Sequence, residues 1–201
     1  NIRLICVLAT GYNVVDCDAA KKRGIPVCNV PGYGTAAVAQ FTFGLLLELC
    51  HRIGHHDQVV HQGKWSSCPD FCFWDTPQME LAGKTMGIIG YGAIGQAVAN
   101  IARAFGMHVI AYSRTRNEAF ANDYVNLDTL LAQSDVISLH CPLTEDTYHI
   151  INETSLAACK RGVVLINTSR GALVDAEALL EGIKSRHVGA ACLDVYEEEG
   201  D

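Results

Sequence analysis

Three glycines, Gly90, Gly92 and Gly95, have the spacing G-x-G-x-x-G that is typical of a phosphate-binding turn. Gly90 permits the tight turn, Gly92 lets the backbone approach a pyrophosphate, and Gly95 lets a helix pack closely on a strand. The motif follows an apolar run and precedes a helical pattern that begins near Ala93, so the phosphates would lie at the positive end of that helix. Glycines also form turns without any ligand, but the order of strand, glycines, helix and second strand favours a dinucleotide site.

The stretch AYSRTRN, residues 111–117, follows the second strand of this predicted unit and contains two arginines. Ser113 comes 23 residues after Gly90, near the ~20 at which an acidic residue binds the adenosine ribose of NAD. A carboxylate there would repel a 2′-phosphate, whereas Ser113 followed by Arg114 and Arg116 would attract one. The alternative is that both arginines are solvated on a surface loop. The sequence therefore predicts NAD(P) as the cofactor, with NADP(H) preferred and NAD(H) as the alternative.

A second group of polar residues follows two later strands. Residues 168–170, with the sequence TSR, come after the apolar run VVLIN, and residues 194–199 come after VGAACL. Because open parallel sheets bind ligands at the carboxyl ends of their strands, we expect these residues to face the same crevice as the glycines. The guanidinium of Arg170 suits bidentate binding of a substrate carboxylate. The alternative is that it pairs with Asp175 or Glu177 at a helix start.

The elements that must position these residues are short β-branched strands that alternate with helical patterns. The strands are apolar throughout, as expected where helices cover both faces of a parallel sheet. Their repetition indicates an α/β fold, a Rossmann-type doubly wound parallel sheet with right-handed crossovers. The predicted strands are RLICVL, IPVCNV, TMGIIG, HVIAY, DVISLH, VVLINT and VGAACLDV, and the predicted helices span residues 17–23, 35–61, 93–105, 127–133, 153–159 and 175–185.

Residues 65–80, WSSCPDFCFWDTPQME, interrupt the alternation, because they have no hydrophobic period and contain two prolines. We expect either a surface excursion that leads from the long helix into a new βαβ unit near Lys84 or a packed loop without chemistry. The first 32 residues resemble the end of another sheet domain. We therefore predict two domains, a partial one over residues 1–32 and a Rossmann domain over residues 33–201 that includes the long linking helix.

Composition limits the classes of protein to which the chain can belong. Its 201 residues are 49% hydrophobic and 18% charged, which is enough to bury a sizeable core. The formal net charge of −7 argues against a nucleic-acid partner, since phosphate backbones bind clustered Lys and Arg. The most apolar segment, FTFGLLLELC, is too short to span a bilayer, and the start of the chain has no signal-peptide pattern. We expect a soluble protein with no membrane partner.

Nine cysteines, an odd number, fit a reducing, cytoplasmic compartment better than a disulfide framework. Cys68 and Cys72 have several histidines upstream, but the spacing does not match a zinc finger or ribbon. We therefore expect no bound metal. The thiols expected to behave as small hydrophobic groups, because they lie in or beside apolar runs, are those of Cys6, Cys17, Cys28, Cys141 and Cys192.

Four segments resemble, in order, motifs of the D-isomer-specific 2-hydroxyacid dehydrogenases, and the resemblance covers essentially the whole chain. They are GIIGYGAIGQAVANIARAFGM, LHCPLTEDTYHIIN, INTSRGALVDAEAL and ACLDVYEEE. The stretch TPQMELAGKTMGIIGYGAIGQ is most similar to the branch of glycerate dehydrogenases and hydroxypyruvate reductases, whereas LDVYEEEGD is nearer the D-lactate dehydrogenases. The resemblance implies a partial substrate domain of flavodoxin-like α/β fold over residues 1–32 and an NAD(P)-binding domain over residues 33–201.

The resemblance also implies roles for single residues. The stretch ATGYNVVD resembles the family's substrate loop, which places Thr10 and Gly11 where backbone amides meet the substrate carboxylate. Arg170 would bind the substrate, and Glu199 would partner a catalytic histidine that gives a proton to the substrate oxygen as hydride arrives. Asp194 would lie near the nicotinamide carboxamide. The positions implied to contact the dinucleotide are Ala93, Ile94, Ser113, Cys141, Pro142, Thr147, Thr168, Arg170 and Asp194, and they join Gly90, Gly92, Gly95, Arg114, Arg116 and Ser169 in the predicted cofactor site.

In the family, the catalytic histidine follows the glutamate in a segment that would lie beyond Asp201. None of the eight histidines of the sequence is in that motif context. We therefore expect the chain to be part of a longer enzyme and not to turn over alone.

The predicted function is that of an NAD(P)-dependent oxidoreductase that interconverts small 2-keto acids and D-2-hydroxy acids, with hydroxypyruvate or glyoxylate ahead of pyruvate. The alternative is a dinucleotide-sensing binding protein similar to the transcriptional corepressors of the same fold. Family members commonly pair through the nucleotide-binding domain, so we also expect a homodimer. Phe41, Leu45 and Leu49 form an apolar stripe that would either meet a second copy or pack on its own sheet.

Overall fold

The computed structural model describes residues 2–198 of the chain. All seven predicted strands and all six predicted helical regions are present, with ends that differ by a few residues. The elements are β1 (Ile5–Cys6), α1 (Cys17–Lys22), β2 (Val27–Cys28), α2 (Thr35–His51), α3 (Ile53–His61), β3 (Thr85–Ile89), α4 (Ala93–Ala104), β4 (His108–Tyr112), α5 (Leu127–Gln133), β5 (Val136–Leu139), α6 (Glu153–Ala157), β6 (Val163–Asn167), α7 (Ala176–Lys184) and β7 (Val188–Leu193), with 3₁₀ turns at Glu118–Asp123 and Gly171–Leu173.

Strands β3 to β7 form one parallel sheet in the order β4-β3-β5-β6-β7. The chain runs outward from β3 in one direction to β4 and then returns to continue on the other side with β5, which creates a switch point beside β3. Two separate apolar cores lie against the sheet, one that includes Leu46 and Val98 and one that includes Leu130 and Leu173. The predicted doubly wound parallel sheet is therefore confirmed.

Strands β1 and β2 form a separate two-stranded parallel sheet. In each strand the first residue is half-buried and the second is exposed, so Cys6 and Cys28 face outward. Cys17, on α1, is exposed as well. The expectation that these three thiols behave as small hydrophobic groups is wrong. The alternation of side chains along β1 and β2 turns Cys6 and Cys28 outward, and Cys17 is exposed at the first position of α1.

The single helix predicted over residues 35–61 is also wrong, because it is two helices whose axes differ by 55°. Arg52, between α2 and α3, has left-handed dihedral angles of φ 50° and ψ 49°. The carboxylate of Glu48 accepts a hydrogen bond from the N–H of Gly54 at 3.1 Å, which gives the new helix start a partner. Within residues 2–198, no single helix has both the length and the apolar content to cross a bilayer, and only α2 and α3 taken together meet that test.

The region after α2 lies on the surface, as predicted for the excursion. Helix α3 has no buried residue, and Trp65, Phe71 and Trp74 expose 56%, 91% and 67% of their surface. The carboxylate of Asp75, in the excursion, forms a hydrogen bond with Nε2 of His55 on α3 at 2.7 Å, which connects the excursion to that helix. No group of three or more His, Cys, Asp or Glu side chains is placed to hold a metal in the part of the chain that the structure describes.

Candidate dinucleotide and substrate site

The glycine turn after β3 has the three-part geometry that the motif predicts. Gly90 has φ +97°, and a β-carbon on it would lie 2.4 Å from the backbone nitrogen of Cys141, which follows β5. A β-carbon on Gly95 would lie 2.2 Å from the carbonyl oxygen of Gly90, so helix α4 packs directly on the turn. A β-carbon on Gly92 would meet nothing within 4 Å. Two of the glycines are thus required by packing, and the third leaves open space above the helix.

Helix α4 presents its positive end to that open space. It begins at Ala93, and Gly92, its N-cap, has no side chain to accept from the N–H groups of the first turn. Gly92 and Ala93 are exposed, and Ile94 is half-buried. Uncapped N–H groups at a positive helix end, next to a glycine without a β-carbon, fit a pyrophosphate.

A hydrogen-bond network that the motif did not predict holds the turn in place. The hydroxyl of Tyr91, which is 3% exposed, donates to Oδ2 of Asp123 at 2.7 Å, and Arg103 donates to the same oxygen at 2.7 Å. Burial, followed by the hydrogen bond with Asp123, raises the pKa of Tyr91 to about 12. The turn is therefore fastened to both α4 and the 3₁₀ turn at Glu118–Asp123. The feature of the sequence that could have indicated this network is Tyr91, an aromatic residue between the motif glycines Gly90 and Gly92.

The loop after β4 contains Ser113 half-buried and both arginines exposed, but the arginines have partners. The guanidinium of Arg114 lies 3.4 Å from the carboxylate of Asp146 in the loop after β5. The guanidinium of Arg116 lies over the ring of Tyr124, 5.6 Å from its centre. One arginine therefore has a solvated ion pair and the other has a cation–π contact.

The loop after β5 begins with Cys141, which is buried beside Gly90, so that desolvation raises the pKa of its thiol to about 11. Pro142 is exposed. The hydroxyl of Thr147 donates to the carbonyl of Pro142 at 2.7 Å and accepts from the N–H of Thr144 at 2.8 Å. Thr147 therefore closes the loop with its own hydroxyl, while the loop as a whole borders the glycine turn.

Arg170 lies at the carboxyl edge of the sheet, against the loop that contains Gly11 and Asn13. Its Nε donates to Oδ1 of Asn13 at 3.2 Å, and its Nη1 donates to the carbonyl of Ser169 at 2.7 Å. A β-carbon on Gly11 would lie 1.8 Å from its Nη2, so the guanidinium rests on the backbone of that loop. The alternative pairing with Asp175 or a neighbouring glutamate is not the arrangement observed. Asn13 is a partner that the sequence reasoning missed.

The remaining predicted residues surround Arg170 at the ends of β6 and β7. Ser169 donates through Oγ to the carbonyl of Leu139 at 3.0 Å, which joins the β6 loop to β5. The hydroxyl of Thr168 lies 3.3 Å from that of Thr42, which is buried on α2. Asp194 is exposed at the end of β7, where its N–H donates to the β6 backbone at 3.0 Å. These contacts bind the two strand ends to each other and to α2.

The loop of Thr10 is fixed to β2 on its other side. The hydroxyl of Thr10 donates to the carbonyl of Val30 at 3.2 Å, and its carbonyl accepts from the side chain of Asn29 at 2.8 Å. Gly11 is therefore held between β2 and Arg170. Glu199, the predicted partner of a catalytic histidine, lies outside the described residues.

Comparison with known proteins agrees with this arrangement. The sequence model described as "D-isomer specific 2-hydroxyacid dehydrogenase, NAD binding domain" matches residues 43–200. The hydroxypyruvate reductase of Blautia hydrogenotrophica is 57% identical over 202 residues, which cover 99% of this chain and 63% of that protein. The glyoxylate reductase of Thermococcus litoralis is 46% identical over 206 residues, which cover 98% of this chain and 61% of that protein.

Among solved structures, the D-lactate dehydrogenase from Aquifex aeolicus, complexed with NAD and lactic acid, superposes with a TM-score of 0.87 at 38% identity. The match covers 98% of this chain and 59% of that one. The chain thus spans about 60% of the length of the relatives it matches. The matched proteins are named as reductases and dehydrogenases, and they give no support to the corepressor alternative.

The glycine turn, the helix start and the Arg170 loop thus lie along one sheet edge, and the family match extends over most of the chain. The chain belongs to the D-isomer-specific 2-hydroxyacid dehydrogenases and contains their NAD-binding domain.

Proposed function

We propose that the chain is the nucleotide-binding part of an NAD(P)-dependent oxidoreductase that interconverts small 2-keto acids and D-2-hydroxy acids. The observation that carries this proposal is the position of Arg170. Its guanidinium rests on Gly11 at the same sheet edge as the open space above Gly92. A carboxylate bound by Arg170 and a dinucleotide bound at the glycine turn would therefore share one crevice.

The residues of the crevice have separate tasks in this proposal. The N–H groups at the start of α4 hold the pyrophosphate, and Gly92 leaves room for it. When bound, the dinucleotide supplies or accepts the hydride. Arg170 orients the substrate by its carboxylate and polarises the neighbouring carbonyl. Glu199 would hold a histidine of the full-length protein in its protonated form, and that histidine would give its proton to the substrate oxygen.

We further propose hydroxypyruvate or glyoxylate as the first substrates to test, followed by pyruvate. Support comes from the relatives named for these activities, the hydroxypyruvate reductase at 57% identity and the glyoxylate reductase at 46%. Side chains that select among these acids would come partly from the rest of the full-length protein, since the chain spans only part of its relatives.

For the coenzyme we propose a preference for NADP(H). Position 113, where an acid would repel a 2′-phosphate, is a serine, and Arg114 and Arg116 follow it. The ion pair of Arg114 is 76% exposed at the arginine and 78% exposed at Asp146, so breaking it costs little. Arg114 can therefore exchange that partner for a phosphate.

A homodimer is the proposed assembly. Phe41 of the predicted stripe is 47% exposed, whereas Leu45 and Leu49 are half-buried and pack against the chain's own core. The larger exposed apolar surface comes from Trp65, Phe71 and other aromatics of the excursion. A second copy is the occupant we expect for this surface, because exposed apolar patches mark interaction sites and most soluble homo-oligomers are two-fold symmetric dimers. A monomeric mass for the full-length protein in solution would rule it out.

The direct test of the enzymatic proposal is keto-acid-dependent oxidation of NADPH or NADH by the full-length protein. We expect absorbance at the reduced-nicotinamide band to fall after addition of hydroxypyruvate and to stay constant in a blank without the acid. No oxidation with hydroxypyruvate, glyoxylate or pyruvate would refute the proposal.

A further inference from the structure

His149 lies in the loop between β5 and α6 and has no role in the site described above. Its backbone is left-handed, with φ 49°, a conformation that a non-glycine residue rarely adopts. Its N–H donates to the carbonyl of Ala172 at 2.9 Å, and its carbonyl accepts from the side chain of Asn152 at 2.9 Å. The imidazole stacks on the ring of Tyr148, with the ring centres 4.0 Å apart. The side chain is therefore held in one orientation.

That orientation points the imidazole at Glu197. Nε2 of His149 donates to Oε1 of Glu197 at 2.5 Å, since a carboxylate in this position accepts. The other oxygen of Glu197 accepts from the N–H of Ala176, the first residue of α7, at 3.3 Å. Nδ1 of His149 lies 3.8 Å from Asp175. Both oxygens of Glu197 are engaged, and only 25% of the histidine and 26% of the glutamate side chain are exposed.

The backbone that carries Glu197 also packs against the residue that follows Arg170. A β-carbon on Gly171 would lie 1.8 Å from the carbonyl oxygen of Tyr196 and 2.5 Å from the nitrogen of Glu197. Residues 196–197 thus lie directly on the loop of Arg170, and Glu199 follows two residues later in the sequence. The hydrogen bond from His149 to Glu197 helps to hold residues 196–197 in this position.

We propose that His149 is a positioning residue that, by binding Glu197, holds residues 196–197 against the loop of Arg170 and so sets the position of that loop. This inference rests on the proposed function, because it assigns His149 to the same reaction. The contacts of His149 are with the loop before α6, the first turn of α7 and residues 196–197, which are all at the carboxyl edge of the sheet. Loss of the contact would therefore loosen the packing of residues 196–197 on Gly171 and shift the neighbouring Arg170 without opening either core.

The experiment uses the full-length protein and a mutant cycle. His149→Asn removes the imidazole while keeping a residue type that tolerates the left-handed backbone. We expect kcat for hydroxypyruvate reduction to fall about 10- to 100-fold, because a small displacement of a group in the site lowers the rate by about that factor. The KM for coenzyme should change less than about twofold. Glu197→Ala should cause the same loss, and the double variant should lose no more than either single variant.

Conservative and unrelated changes separate positioning from a general loss of structure. Glu197→Gln keeps an oxygen that accepts from His149, so we expect it to retain most of kcat. His108→Asn, an exposed histidine at the start of β4, should leave kcat unchanged. An unchanged kcat in His149→Asn, or losses that add in the double variant, would overturn the inference.

Hydrogen exchange distinguishes failure of this inference from failure of the proposed function. If the wild-type protein reduced no keto acid, the proposed function would be refuted. The role of His149 would then be tested by the exchange rates of the backbone amides of residues 194–198. Faster exchange of these amides in His149→Asn than in His108→Asn would support the contact. Equal exchange in the two variants would overturn it.

Discussion

The guanidinium of Arg170 rests on Gly11, so close that a β-carbon at position 11 would come within 1.8 Å of Nη2. The two residues come from distant parts of the sequence and from different sheets, because Gly11 lies between β1 and β2 whereas Arg170 follows β6. A cation placed against backbone amides is an arrangement that suits a carboxylate, since both the N–H groups and the guanidinium donate to it. This contact is the basis of the proposed substrate site.

Gly11→Ala tests that contact with a single methyl group. The clash is with the far end of a flexible side chain, so we expect Arg170 to move while the protein stays folded. The KM for hydroxypyruvate should rise about tenfold, equivalent to about 1.4 kcal/mol of lost binding. Gly44→Ala, in helix α2 with nothing within 4 Å of a new β-carbon, is the control that should leave KM unchanged. An unchanged KM in Gly11→Ala would show that Arg170 does not bind substrate from this position.

Two glycines of the turn should respond differently to substitution. Gly92→Ser adds a good N-cap residue into open space, so the thermal midpoint should stay or rise, while the dinucleotide Kd should increase about tenfold because the side chain enters the phosphate position. Gly95→Ala places a β-carbon 2.2 Å from a backbone oxygen and should cost about 1–3 kcal/mol of stability. Calorimetry and coenzyme titration measure both effects. Equal destabilisation by the two substitutions would contradict the assignment of Gly95 to packing and of Gly92 to the phosphate position.

Arg114→Ala should raise the KM for NADPH about tenfold and that for NADH much less, since only NADPH has the 2′-phosphate. Asp146→Asn frees Arg114 from its partner at 3.4 Å and removes a repelling charge, so it should lower the KM for NADPH. Steady-state kinetics with both coenzymes provides the comparison. A wild-type protein with clearly better efficiency for NADH would refute the proposed preference.

His140 makes stability depend on pH. Burial lowers its pKa to about 4 from 6.5, so between these values the unfolded chain binds a proton that the folded chain does not. The free energy of unfolding should therefore be highest above pH 6.5 and decrease by up to about 3 kcal/mol as the pH falls to 4. His140→Gln should flatten this slope. Hydrogen bonds from Lys64 and from the N–H of Thr85 lower the pKa values of Asp75 and Asp135, respectively, so these carboxylates act only at lower pH. Denaturant titrations at a series of pH values measure this dependence. An equal decrease in the free energy of unfolding of the wild type and of His140→Gln between pH 6.5 and 4 would contradict this role.

Much of the fold follows from local sequence signals. Apolar runs bounded by turn residues located every strand, and the glycine spacing located the start of α4 at Ala93. The predicted helix over residues 35–61 failed at Arg52, where a left-handed backbone ends α2 and the side chain of Glu48 accepts from the N–H of Gly54. Hydrophobic period alone does not encode that contact.

Contacts between distant side chains were the part of the site that sequence did not predict. Neither the contact of Arg116 with the ring of Tyr124 nor the hydrogen bond from Arg170 to Asn13 was predicted. The pair of His149 and Glu197 joins residues 48 positions apart. Such pairs depend on how the strand-end loops approach one another, and a motif specifies only the residues within one loop.

Catalytic efficiency of full-length Arg170→Ala is the measurement that bears most directly on the proposed reaction. Loss of a charged contact to the substrate carboxylate should lower kcat/KM about 100-fold with hydroxypyruvate, glyoxylate and pyruvate alike. Arg170→Lys should recover only part of it, because an ammonium lacks the bidentate fork, and Glu181→Gln, on the exposed side of α7, should match the wild type. If Arg170→Ala kept normal efficiency on every acid, Arg170 would have no part in the reaction.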